Sequence, residues 1–274
     1  DPRPDARSRA ATELSEFDNP AVYSVLVRAL YDDKPEVRLS SIRALGRLGK
    51  PDTARPLVAF LRRERDNPLR QAAILVLGTL DHPVVAPALA ACISEASPEI
   101  RACAVEALAD TGAANAGKTI LAALNDTDMR VRIRAAFGLA WINDTNSIVQ
   151  LASLMEEEGW GEAASNRVAA ACSLGLLGEP RAIGQLARIL RTKEPVERFQ
   201  ACVALIALGT PDAIAVLETR TRDPDPAIRT FVRHVVAGEG SLSLTHLLDT
   251  VFRTHAIRAM GLFDDPAILE CLKT

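Results

Sequence analysis

Small and aliphatic residues recur along the chain three, four, seven and eight places after an arginine. The arrangement returns in VRLSSIRALGRLG (37–49), LRQAAILVLGTLD (69–81), IRACAVEALADTG (100–112), VRIRAAFGLAWIN (131–143) and NRVAAACSLGLLG (166–178). Such offsets form one stripe of an α-helix, so each stretch predicts an amphipathic helix. The anchoring arginines are Arg7, Arg38, Arg70, Arg101, Arg132, Arg167, Arg198, Arg229 and Arg253. They are spaced by 31 or 32 residues, except for 35 between Arg132 and Arg167 and 24 between Arg229 and Arg253. A fixed period of this length is the mark of a repeat architecture, here of nine units.

Within the stripe the third place is small, as at Ala73, Ala104 and Ala135, and the seventh is large, as at Leu77, Leu108 and Leu139. This alternation lets neighbouring helices approach and interlock. Each anchor helix runs into a turn such as GKPD (49–52) or LGTPD (208–212), and a second apolar helix follows, as in TARPLVAFLRR (53–63). Glycine past a helix end and proline soon after are stop and restart signals. The unit is therefore a helical hairpin. One hairpin cannot bury both its faces, so the predicted fold class is all-α: an α-solenoid of stacked hairpins running as a single domain over 1–274.

The pattern VRxxAxxALGxLG followed by a proline-containing turn resembles HEAT repeats, in particular the short HEAT-like repeats of the phycobilisome-lyase type. The resemblance covers essentially the whole chain. It implies the fold but not one activity, because this repeat class serves adaptors, scaffolds, chromophore lyases and some nucleic-acid enzymes. The period around MEEEGWGEAAS (155–165) is lengthened, and that around GEGSLSLTHLLD (238–249) is shortened. The register is out of phase at both ends, as expected for part of a larger protein.

Aromatic residues make up only 4% of the 274 residues, against 48% hydrophobic overall, so the core is expected to be built from Ala, Leu, Val and Ile. A net charge of −3 supplies no global basic field for gripping nucleic acid. No apolar run is long enough to span a membrane, and no membrane insertion is expected. Cys92, Cys103, Cys172, Cys202 and Cys271 lie apart, without a CxxC pair, as reduced thiols in a cytoplasm would.

The arginine ladder has two readings. It is a row of phosphate ligands, or each arginine bonds to acidic or carbonyl groups of the preceding turn, with Asp33, Asp66, Asp128 and Asp225 as candidates. Its recurrence in step with the core stripe favours the structural role. LRRERDN (61–67) reads as a solvated helix end, with contact to a phosphate or acidic partner as the lesser alternative. His82, His234, His246 and His255 form no HExxH, nor the His-Glu pairs of metal-dependent hydroxylases built on HEAT-like repeats. Neither a metal nor another cofactor is therefore expected. No nucleotide-binding or nucleophile motif is present, so no catalytic residue is assigned.

The face opposite the stripe, two, five and nine places after each anchor, should be exposed. It is polar at first, with Arg43 and Arg47, and turns apolar midway. There it carries Arg134, Phe137 and Trp141, then Cys172 and Leu176, then Val203 and Phe231. The resemblance places this face in the concave groove. An exposed apolar patch with an aromatic anchor beside an arginine marks a partner-binding site. These seven residues are the expected contacts of a scaffold or adaptor that binds a protein or peptide. A bilin-lyase-like enzyme or enzyme subunit and a nucleic-acid-binding solenoid are the alternatives; Glu106 and Asp110 oppose the latter.

Overall fold

Proline and short polar side chains start the helices, and residues in the left-handed region end several of them. A computed structural model describes residues 3–17, 19–157 and 161–237. In chain order the helices are α1 (Pro4–Leu14), α2 (Pro20–Ala29), α3 (Pro35–Leu48), α4 (Ala54–Arg63), α5 (Asn67–Gly78), α6 (Val85–Cys92), α7 (Pro98–Asp110), α8 (Ala116–Ala122), α9 (Met129–Trp141), α10 (Ile148–Glu156), α11 (Glu162–Leu176), α12 (Ile183–Ile189), α13 (Pro195–Leu208), α14 (Pro211–Glu218) and α15 (Pro226–Ala237). Proline fills the first turn of α3, α5, α7, α13 and α15, where its missing N–H has no helical partner to lose. Asp66 and Ser97 accept from the backbone N–H of Leu69 and Ile100 and so cap α5 and α7. Gly49 and Gly209, at φ of 58° and 61°, close α3 and α13.

Among the described residues there is no strand, and the fold is an all-α repeat of stacked hairpins. The odd-numbered helices are the anchors. The ninth unit, anchored at Arg253, lies outside the described residues. The chain divides into two compact units, Asp1–Ala170 and Ala171–Thr274. In the first, α1, α3, α5, α7 and α9 pack each on the next; α2, α6 and α8 lie against the anchors they join, and α4 packs on α5 and α6. In the second, α13 packs on α12, α14 and α15. The stripe is the core: Ala73, Ala104, Ala135, Leu45, Leu77 and Leu139 are fully buried in the first unit, and Ala201 and Leu205 in the second. A Cβ on Gly78 would lie 2.9 Å from the Cα of Ala107, and one on Gly175 would lie 2.9 Å from the Cβ of Ala204. The missing side chains set how closely successive anchors approach.

The arginine ladder is structural. Arg38, Arg101, Arg132 and Arg198 each donate from Nη1 to the carbonyls six and five residues earlier, at 2.7 to 3.5 Å. Their remaining nitrogens, and those of Arg7 and Arg70, reach forward to an acid in the turn before the next anchor. The pairs are Arg7 with Asp32, Arg38 with Glu64, Arg70 with Glu95, Arg101 with Asp126, and Arg198 with Asp223. Asp32, Glu95, Asp126 and Asp223 are each used twice, because their backbone carbonyls accept from the following arginine.

The arginines thus take the carbonyls of the preceding turn, as expected, but their acids stand before the next anchor, a hairpin later, and are mostly other side chains than those expected. Asp33 does accept from Arg7, but Asp66, Asp128 and Asp225 accept from the backbone N–H groups of Leu69, Arg130 and Ile228 at their helix starts. A short carboxylate at a helix start is already committed to its own orphan donors. In the lengthened fifth unit Arg132 turns instead to Glu162 and Asn166.

Candidate functional site

Trp141 ends α9 with 41% of its surface exposed, and Phe137, one turn earlier on the same face, is half-buried. Beside Trp141 opens a cleft of about 400 Å³ lined by Asp110 and Gly117, the Ile142–Asp144 turn and Trp141 itself. Asn143 turns the chain there at φ 55°, and the Asp144 carboxylate accepts from the backbone N–H of Asn146. The two acids give the cleft a negative edge beside an indole.

Arg134 is committed to Glu106 of α7. Burial pushes the Glu106 carboxyl above its ordinary range, and the Arg134 charge only partly opposes this. The pair therefore joins α7 to α9 and does not offer a free guanidinium.

The remaining expected contacts belong to the second unit. Leu176, near the end of α11, is half-buried. Cys172 and Val203 are 1% and 2% exposed and cannot present an open surface. The Phe231 side chain, with Arg253, His255 and Cys271, lies outside the described residues.

The departure has a local cause that is visible in the first unit. Successive anchors approach so closely that the second place after one arginine meets the first place of the preceding anchor, and the long ninth-place arginine can also reach across. The Ser8 and Ser40 hydroxyls lie 2.7 Å apart, Arg47 reaches Ser15, and the Cys103 thiol sits 3.7 Å from the Gln71 carbonyl. The ninth place, at the helix end, stays open at Arg47, Thr79, Asp110 and Trp141, whereas among the described residues the second and fifth places are exposed only in the first two repeats, at Arg9, Thr12 and Arg43.

Burial pushes the Cys92 and Cys202 thiols up to about 11 and about 12, and raises Cys103 and Cys172 as well, so these four cysteines hold their protons. His82 accepts the backbone N–H of Val84 on Nδ1, a turn contact. Among the described residues no group of three His, Cys, Asp or Glu side chains is arranged around a metal position, and no helix is long and apolar enough to cross a membrane.

The model for HEAT repeats matches residues 1–78, 55–117, 85–164 and 161–236. The chain belongs to the HEAT-repeat family. No curated protein sequence matches it. Among solved structures, this HEAT-repeat chain is similar to one in the complex of CpcE and CpcF of phycocyanin lyase from Nostoc sp. PCC7120. Identity is 18% over 87% of this chain and 96% of that one, with a TM-score of 0.59. It is also similar to a chain in a homology model of the full-length AP-3 complex in an intermediate open conformation, at 13% identity over 97% of this chain and 59% of that one, with a TM-score of 0.50. At these identities the likeness is one of fold.

The acids that complete the arginine ladder were missed in the sequence, although a signal was there. An Asp or Glu stands 25 or 26 places after Arg7, Arg38, Arg70, Arg101 and Arg198. The acidic edge beside Trp141 carries no such signal, since Asp110 and Asp144 belong to different repeats.

Proposed function

We propose that this HEAT-repeat chain is a non-catalytic cytoplasmic scaffold or adaptor that binds a protein or peptide partner on its anchor-helix face, with Trp141 as the central contact. The observation that carries the reading is the large exposed indole beside a cleft edged by Asp110 and Asp144, in a chain with few aromatic residues. An indole accommodated in a partner's pocket is a common source of binding energy, and two nearby carboxylates select a partner with a basic residue next to that pocket. Phe137 lies one turn earlier on the same helix, and the Arg134–Glu106 pair joins α9, which carries Trp141, to α7, which carries Asp110. Cys172 and Val203 drop out because they are buried. The two similar structures, as named, belong to protein complexes, which accords with a scaffold role.

Affinity capture from a lysate with the intact chain and with the Trp141→Ala variant tests the reading. A partner retained by the first and lost from the second, with unchanged helix content, is expected. Equal recovery of every partner by both forms overturns it.

A further inference from the structure

A cleft of about 790 Å³ runs between α4 and α6, on the partner-helix side of the repeats and away from the Trp141 cleft. Its two walls differ in chemistry. On α4, Arg55, Ala59 and Arg62 follow one another at spacings of four and three residues and so share a face. At 1.5 Å of rise per residue the two guanidinium stems start about 10 Å apart along the helix. Arg65 adds a third cation just past the helix end, and all three arginines are exposed. On the other side, Val84, Pro87, Ala88 and Ala91 present only small apolar groups. The floor is Val58, Leu61 and Cys92, all buried, with the Cys92 thiol held protonated.

The cleft's own acids do not neutralise those cations. Glu64 is engaged by Arg38 and by the backbone N–H groups of Arg65 and Asp66, and Glu95 is engaged by Arg70. None of the ion pairs among the described residues involves Arg55, Arg62 or Arg65. The cleft therefore holds three uncompensated positive charges on one side and an uncharged apolar shelf on the other.

We propose that the α4–α6 cleft docks an acidic amphipathic peptide of a partner protein. Carboxylates two helical turns apart meet Arg55 and Arg62, and small apolar side chains lie against Ala88 and Ala91. Charge complementarity selects the acid, and the shelf selects the apolar flank. A nucleic acid fits this cleft less well, because no aromatic side chain lines it for base stacking and its second wall has no cation to follow a phosphate backbone. The proposal is independent of the Trp141 face, since it uses different helices and the opposite charge preference.

The test uses the full chain and a fluorescein-labelled Ala/Leu helical peptide carrying a glutamate stripe, with the glutamine version of that peptide as control, read by fluorescence anisotropy. The glutamate peptide should bind more tightly than its control and weaken as salt rises. Arg55→Gln with Arg62→Gln should weaken it about ten-fold, the loss of two exposed ion pairs. These side chains hold nothing else in the fold, so the melting temperature should not move. Ala91→Glu keeps every arginine and should weaken binding by repulsion, whereas Trp141→Ala should leave it unchanged. Equal binding of the two peptides, or unaltered binding in both cleft variants, overturns the proposal. So does a single-stranded DNA oligonucleotide that binds more tightly than the peptide and is lost in the same variants.

Discussion

The Arg101 guanidinium holds both carboxylate oxygens of Asp126, at 2.8 Å from Nε and 2.7 Å from Nη2, across the turn that leads into the next anchor helix. The Asp126 carbonyl then accepts from Arg132, so one residue ties two successive arginines together. Removing this side chain by Asp126→Ala should lower unfolding stability by about 1–3 kcal/mol, as for other charged hydrogen bonds. The equivalent Asp223→Ala should cost more, about 3–5 kcal/mol, because the Arg198 and Asp223 side chains are only 6% and 0% exposed and the buried arginine would lose its carboxylate, keeping only backbone carbonyls. Urea denaturation of the three proteins checks the order; equal midpoints would contradict a structural ladder.

Acid should dismantle the same ladder. Hydrogen bonds from Arg7, Arg101 and Arg70 hold Asp32, Asp126 and Glu95 below the usual carboxylate range; Asp223 and Glu64 are also lowered, against the opposing effect of their burial. A carboxyl whose folded pKa lies below its unfolded value stabilises the fold above the unfolded value, about 4, and loses that contribution as pH falls toward the folded one. Glu106, raised by burial, has the reverse sign and disfavours the fold in its charged form. Denaturation midpoints should therefore hold steady from pH 7 to about 5 and fall below about 4, since the lowered groups outnumber the raised one.

Two glycines on helices should respond in opposite directions to alanine. At Gly78 the new methyl would lie 2.9 Å from the Cα and carbonyl oxygen of Ala107, backbone atoms that cannot step aside. Gly78→Ala should cost about 1–3 kcal/mol through forced separation of α5 and α7. At Gly184, on α12, nothing lies within 4 Å, and Gly184→Ala should gain up to about 1 kcal/mol from helix propensity. Thermal melts of the two variants give the sign directly.

Phe137 and Trp141 share a helix face but not a role. Trp141→Ser should cost less than Phe137→Ser, because 41% of the Trp141 surface is already exposed. Phe137→Ser, at a half-buried site, should cost about 1–3 kcal/mol. Measuring both by urea denaturation separates the open residue from the packed one. A Trp141 variant as unstable as the Phe137 variant would place the indole in the core.

The hairpin repeat was legible in the sequence because its signals are local. The stripe three and seven places after each arginine sets one helix face, as at Ala104 and Leu108. Pro35, Pro98 and Pro195 mark where helices begin, and Gly49 and Gly209 where they end. The ladder was half legible. The arginines announced themselves, but their acids stand a full helical hairpin away, and Asp66 and Asp128 offered nearer carboxylates already taken by their own helix starts.

The open face was legible least, because exposure depends on the distance between helices. The sequence by itself determined the period, the helices and the core stripe, all of which follow from residue spacing along one helix. Tertiary structure decided that Cys172 and Val203 are covered, that Arg134 belongs to Glu106, and that Trp141 stays open at the end of α9. Alanine and glycine at the contacts let the middle anchors approach until their flanks close over one another, and Trp141 escapes that closure because its helix stops there.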